Sequence, residues 1–130
     1  MTMRPGVSSG GPWEAPYGYR RAIVVGDACW VAGTTDAGPD GRSTHPGDAG
    51  AQARAVFAII ERALGDAGFA LTDVVRTRML VVDIADADAV ASVHGEVFRD
   101  VRPAATLVQV VALIEPTVLV EIEVDAVRTP

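Results

Sequence analysis

The chain has 130 residues, enough for one domain with a single core and too few for two. Hydrophobic residues make up 49% of it and mean hydropathy is +0.26, which excludes disorder for most of its length, while no apolar run approaches the ~20 residues a membrane-spanning helix needs. A net charge of −6 with dispersed arginines argues against nucleic-acid or anionic-membrane partners, whose binding draws on a basic stripe.

One cysteine permits no internal disulfide, and the N-terminus carries no apolar stretch of the secretory kind, so a cytoplasmic location is expected. Residues 1 to about 16 are rich in Gly, Pro and Ser (Pro5-Gly6-Val7-Ser8-Ser9-Gly10-Gly11-Pro12) and read as a mobile arm, leaving 17–130 as the domain. Two short apolar runs follow, Ala22-Ile23-Val24-Val25 and Cys29-Trp30-Val31-Ala32, with Gly26-Asp27 between them as a hairpin turn. Thr34 to Gly47 is dense in turn formers and reads as a loop. Ala53, Val56, Ile60, Leu64 and Ala67 recur at helical spacing, predicting a helix from about Asp48 to Ala67 with Asp48 as N-cap and Gly68 just past its end. A strand over Val74 to Val82 precedes a second helix, about Asp86 to Phe98, capped by Asp86. Strands over Ala104 to Leu113 and Thr117 to Val127 close the chain.

The order β-β-α-β-α-β-β gives an α+β fold with one sheet and two helices on one of its faces. Along Thr106-Leu107-Val108-Gln109-Val110-Val111 both alternating sets are mostly apolar, so the other face would be sticky in a monomer. A second copy of the same sheet is its simplest cover, which predicts a homo-oligomer.

Chemistry concentrates in the last strand. Val118, Val120, Ile122 and Val124 belong under the helices, and Glu121, Glu123 and Asp125 share the opposite face. Like charges two residues apart require partners, for which Arg76 and Arg78 are the candidates. This is either a structural ion-pair lattice or a functional site in which Glu121 serves as acid/base or water holder. Gly33-Thr34-Thr35 ends a strand with amides and hydroxyls available to a small anion, although most such glycines only turn the chain. Cys29 reads as core, His94 as a surface or interface residue, and neither histidine has metal-ligand spacing.

Several segments together resemble the RidA (YjgF) family of imine/enamine deaminases. They are Val25-Gly26-Asp27 with Trp30-Val31-Ala32-Gly33; Gly47-Asp48 with Ala51-Gln52; Ala67-Gly68 with Leu71-Thr72-Asp73-Val74-Val75; Val93 to Phe98; Pro103-Ala104-Ala105; and Val120-Glu121-Ile122-Glu123. Each is soft alone, but their joint order across about residues 17–127 is specific. The resemblance implies a chorismate-mutase-like fold, a homotrimer with an inner barrel of sheets, and ligand pockets between subunits. It also implies hydrolysis of small imines to 2-keto acids and ammonia without metal or organic cofactor.

Carried over residue by residue, the resemblance matches Glu121 to the water-holding glutamate, Tyr17 (with Tyr19 as competitor) to an aromatic near the start, and Gly33 to a pocket glycine preceded here by Ala32 instead of serine. The arginine that grips the substrate carboxylate falls, after Pro103-Ala104, on Ala105, and a methyl group replaces no bidentate clamp. Arg78, or Arg21 from the first strand, are the candidates for the missing charge. Two readings follow: a trimer that binds and hydrolyses a small carboxylate or imine through Glu121, or a non-catalytic ligand-sensing or regulatory trimer. A ribonuclease is disfavoured by the charge and the lack of a basic catalytic cluster.

Overall fold

The computed structural model describes residues 4–129. Its strands and α-helices are β1 Gly6–Val7, α1 Glu14–Tyr17, β2 Ala22–Val25, β3 Ala28–Thr34, α2 Ala49–Asp66, β4 Val74–Val81, α3 Ala87–Phe98, β5 Ala104–Gln109 and β6 Val120–Val127. The six strands form one sheet in the order β1-β2-β3-β6-β4-β5, antiparallel except for the β4–β5 pair that α3 connects. The expected α+β architecture is present.

α2 and α3 cover one face, and the core lies between them and the inward side chains of the sheet. Val56, Phe57, Ile60 and Leu64 of α2 meet Val120, Ile122 and Val124 of β6 and Cys29 and Val31 of β3, all buried. Phe57 and Phe98 meet edge to face at 5.5 Å, fixing α3 on α2. Asp48 caps α2 as its sequence suggests, its carboxylate accepting from the Ala51 amide at 3.0 Å, and Gly68 follows with φ of 86°. The β2–β3 turn is Gly26-Asp27 with Gly26 at φ 58°, the position where a two-residue hairpin requires glycine.

Four local expectations are revised. The segment read as an arm carries two elements: β1 pairs with β2 through Gly6↔Ile23 and Val7↔Ala22, and Glu14 is buried beneath Ser9. Asp86 makes no side-chain cap, because the chain enters α3 through a 3-10 turn over Ile84–Asp86 whose cap is Asp83, accepting from the Ala85 amide. β5 stops at Gln109, because β4, its one neighbour, ends at Val81, and the final bond is Val110 amide to Val81 carbonyl. β6 starts at Val120 and not Thr117, because Thr117 and Val118 fold back onto Glu115.

Candidate functional site on the open sheet face

Among the described residues, nothing covers the face of the sheet opposite the helices. β6 presents Glu121, Glu123 and Asp125 there, and the β4 register places Leu80, Arg78 and Arg76 beside them in that order. The register of β5 adds Val108, Thr106 and Ala104. Trp30 stands opposite Asp125 on β3, with Ile23 beyond it on β2.

The acidic ladder is paired as expected at two of its rungs. Arg78 donates to Glu123 Oε1 at 3.2 Å and lies 3.6 Å from Asp125 Oδ2, while Arg76 Nε is 3.9 Å from the same Asp125 oxygen. All four side chains are partly exposed, so these pairs set charge balance more than stability. Arg78 is therefore occupied by the carboxylates of its own sheet.

Glu121, at the third rung, has no such partner among the described residues and sits opposite the apolar Leu80. Its carboxyl packs on Gly33: a Cβ built there would lie 3.1 Å from Glu121 Cδ and 3.2 Å from Oε1. Glycine at 33 thus makes room for the acid, where β3 breaks register between Val31 and Thr34. Arg21 closes this corner, donating to Gly33 O at 3.0 Å and Thr34 Oγ1 at 2.9 Å. Partial burial raises the Glu121 pKa above the ordinary carboxylate value; the positive charge of Arg21 opposes the shift and the neighbouring Glu123 adds to it. A carboxyl held this way is suited to take and return a proton.

The six residues singled out in the sequence fall into separate places. Gly33 and Glu121 come together, and Arg78 is one rung away. Tyr17 lies on α1, 70% exposed and stacked on Trp13 at 5.8 Å. Tyr19, its competitor, stands nearer the corner, with the Arg21 guanidinium 6.0 Å from its ring. Ala104 and Ala105 occupy the exposed edge strand, two strands from β6. Ala105 pairs with Thr77 and so faces the helix side.

Sequence reasoning missed Asp36, buried in the loop after β3. It accepts from Ser43 Oγ, Thr44 Oγ1 and the His45 amide, holding that loop in one shape. The hydroxyl pair Ser43-Thr44 was its only signal. The role of Gln52 was missed too. Fully buried, it donates to the carbonyls of His45 and Thr117 and accepts from the Leu119 amide, aligning the start of β6. His94 is no plain surface residue: Nε2 lies 2.8 Å from Thr77 Oγ1, and burial lowers its pKa. Among the described residues no group of three or more His, Cys, Asp or Glu side chains is arranged to hold a metal.

A family model described as Endoribonuclease L-PSP matches residues 13–128. A Streptomyces coelicolor protein is 39% identical over 122 residues, covering 94% of this chain and 90% of its own. The 3-aminoacrylate deaminase RutC of Acinetobacter baylyi is 36% identical over 104 residues, 80% of this chain and 82% of the enzyme. Among solved structures, Rv2704 of Mycobacterium tuberculosis, a member of the YjgF/YER057c/UK114 family, superposes with a TM-score of 0.87 at 45% identity, covering 97% of this chain and all of that one.

Proposed function

The chain belongs to the YjgF/RidA family, the endoribonuclease L-PSP group, and from that premise we propose that it is a homotrimer binding a small carboxylate or imine-like metabolite between subunits. The observation that carries this reading is Glu121, half-buried against Gly33 with its pKa raised, on a sheet face the described residues leave bare. The separation of Gly33 and Glu121 from Ala104 and Ala105 supports a pocket assembled from two subunits, because the matched positions do not meet within one chain.

In the catalytic form of the proposal, Glu121 takes a proton from water as the oxygen attacks the C=N carbon. It returns that proton to nitrogen to give the carbinolamine; it then takes the carbinolamine hydroxyl proton as the C=O bond forms and passes it to the amino group, so the C–N bond breaks to give a keto acid and ammonia. No cofactor enters this scheme. The similarity to 3-aminoacrylate deaminase supports a deaminase of small unsaturated or imino acids.

Ala105 favours the second reading, a ligand-sensing trimer without catalysis, because the matched arginine is absent and Arg78 is engaged by Glu123 and Asp125. The family's ribonuclease label fits poorly with a net charge of −6. Timing keto-acid formation from imines generated in situ separates the readings. Acceleration over buffer that is lost in Glu121→Gln establishes the deaminase; no acceleration for any substrate, in the native chain or in Ala105→Arg, overturns it.

A further inference from the structure

A recess lies on the helix side of the sheet, between the segment that follows β1 and the second half of α2, and Glu121 takes no part in it. It has a volume of about 250 Å³, and Val7, Ser9, Arg21, Ile59, Arg62 and Asp66 are among the residues that line it. We infer that this recess binds a free α-amino acid with a small apolar side chain. Its carboxylate would lie on Arg21 and Arg62, its ammonium on Asp66 and its side chain on Val7 and Ile59.

The first support is charge. Arg21, Arg62 and Asp66 line one recess, yet among the described residues none of the three makes an ion pair. Arg62 and Asp66 stand one turn apart on α2, and an arginine ahead of an acid at that spacing is the weaker order for a helix pair. Asp66 is also the last residue of α2, in a turn with no basic side chain, where the helix dipole disfavours a negative charge. A carboxylate kept at that end, beside cations it does not bind, suits an ammonium from outside. Two guanidiniums without carboxylates of their own suit the other end of the same zwitterion.

The second is an orphaned donor. Arg21 Nη1 donates to Gly33 O and Thr34 Oγ1, which fixes the guanidinium, but its Nε is buried and has no acceptor among the described residues. Glu14 does not answer it: Glu14 Oε2 takes the Ser9 amide at 3.0 Å and the Ser9 hydroxyl, and no Glu14 oxygen lies within 4.0 Å of an Arg21 nitrogen. Buried polar groups in folded chains are otherwise matched, because an unmatched donor has lost its water without replacement. A carboxylate oxygen held in the recess supplies the missing acceptor.

The third is shape. Val7 pairs with Ala22, so its side chain turns with that buried residue toward α2, where Ile59 and Ala63 stand one turn apart on the same recess. These three make an apolar floor beside the charged ends, and Ile59 is still 37% exposed. The bonds from Ser9 to Glu14 tie down the facing wall, so the recess is formed before a ligand arrives. Its volume falls below the roughly 300 Å³ at which drug-sized ligands begin to fit, which limits the side chain to a few carbons.

L-Valine is the probe, with binding followed by amide shifts in NMR spectra of the full chain. Isovalerate lacks only its ammonium and isobutylamine only its carboxylate, and each should bind about tenfold or more weakly than valine. Arg62→Gln should lower valine affinity about tenfold, and Asp66→Asn should abolish the preference for valine over isovalerate. Both positions are exposed, so the melting temperatures of these variants should stay at the native value or rise for Asp66→Asn. Glu121→Gln should keep valine affinity within about twofold. Absence of valine binding overturns the assignment, as does equal affinity for isovalerate, undiminished binding in both α2 variants, or binding that requires Glu121. The site stands independently of the Glu121 reading, and either can fail alone.

Discussion

Burial penalises the charged form of Glu121 more than Arg21 relieves it, so the folded chain binds the Glu121 proton more tightly than the unfolded chain does. The sign of its effect on stability follows. Its contribution is fully present below the ordinary carboxylate value of 4.5 and is lost as pH rises through the elevated folded value. Glu121→Gln has no such charge to bury. The variant should therefore be more stable than the native chain at pH 7 and lose that advantage near pH 4, as thermal denaturation at the two values would show; a Glu121→Gln chain less stable at pH 7 would contradict the desolvated site. This residue was legible in the sequence, since strand alternation alone sets Glu121 opposite the core. The contact with Gly33 was matched only through the family resemblance, because register across a bulge cannot be read from either strand alone. Arg21 could be named as a source of charge, but its bonds to Gly33 and Thr34 depend on how β2 ends.

At the scale of elements, the long periodic segments were readable and the short ones were not. α2 repeats its apolar face over five turns between an aspartate cap and a glycine stop, so its limits fall within a residue or two of expectation. β1 has two residues in a glycine- and proline-rich stretch and shows no alternation to detect. Its worth is testable. Deleting residues 1–10 removes the β1–β2 pairing, the Pro5 carbonyl bonded to the Val24 amide, and the Ser9 amide and hydroxyl that serve Glu14. Burial alone would raise the Glu14 pKa, but the hydrogen bonds from Ser9 and Ser8 and the charge of Arg21 bring it below the ordinary carboxylate value. Stability from that lowering is present above pH 4.5 and lost as pH falls through the folded value. The deletion should cost about 1–2 kcal/mol at pH 7 by urea titration, on the scale of one or two net hydrogen bonds, and less at pH 3. A dispensable arm would show no loss at either pH.

For the molecule as a whole, helices cover one face of the sheet, and none of the described residues covers the other. Trp30 is 46% exposed and Val25 49%, and on the far side of the acidic ladder Val108 is 42% exposed. β5 is an unpaired edge whose continuation leaves Val111 and Ile114 almost wholly exposed, at 103% and 96%. Apolar side chains thus flank both ends of a charged centre, the arrangement of a surface made to meet another copy. An uncovered face was legible in the apolar run of β5, but not which residues share it: Leu107 turns to the helix side beside Met79, and Val108 faces out beside Leu80. Trp30→Asp and Val108→Asp should then reduce the solution mass from three times 13.6 kDa to that of one chain while preserving the circular dichroism of the fold. Ile59→Asp, on the exposed side of α2, is the control and should leave the mass unchanged. A native chain that runs as a monomer at micromolar concentration would refute the assembly, and with it any pocket that needs Glu121 from one subunit and the β5 edge from the next.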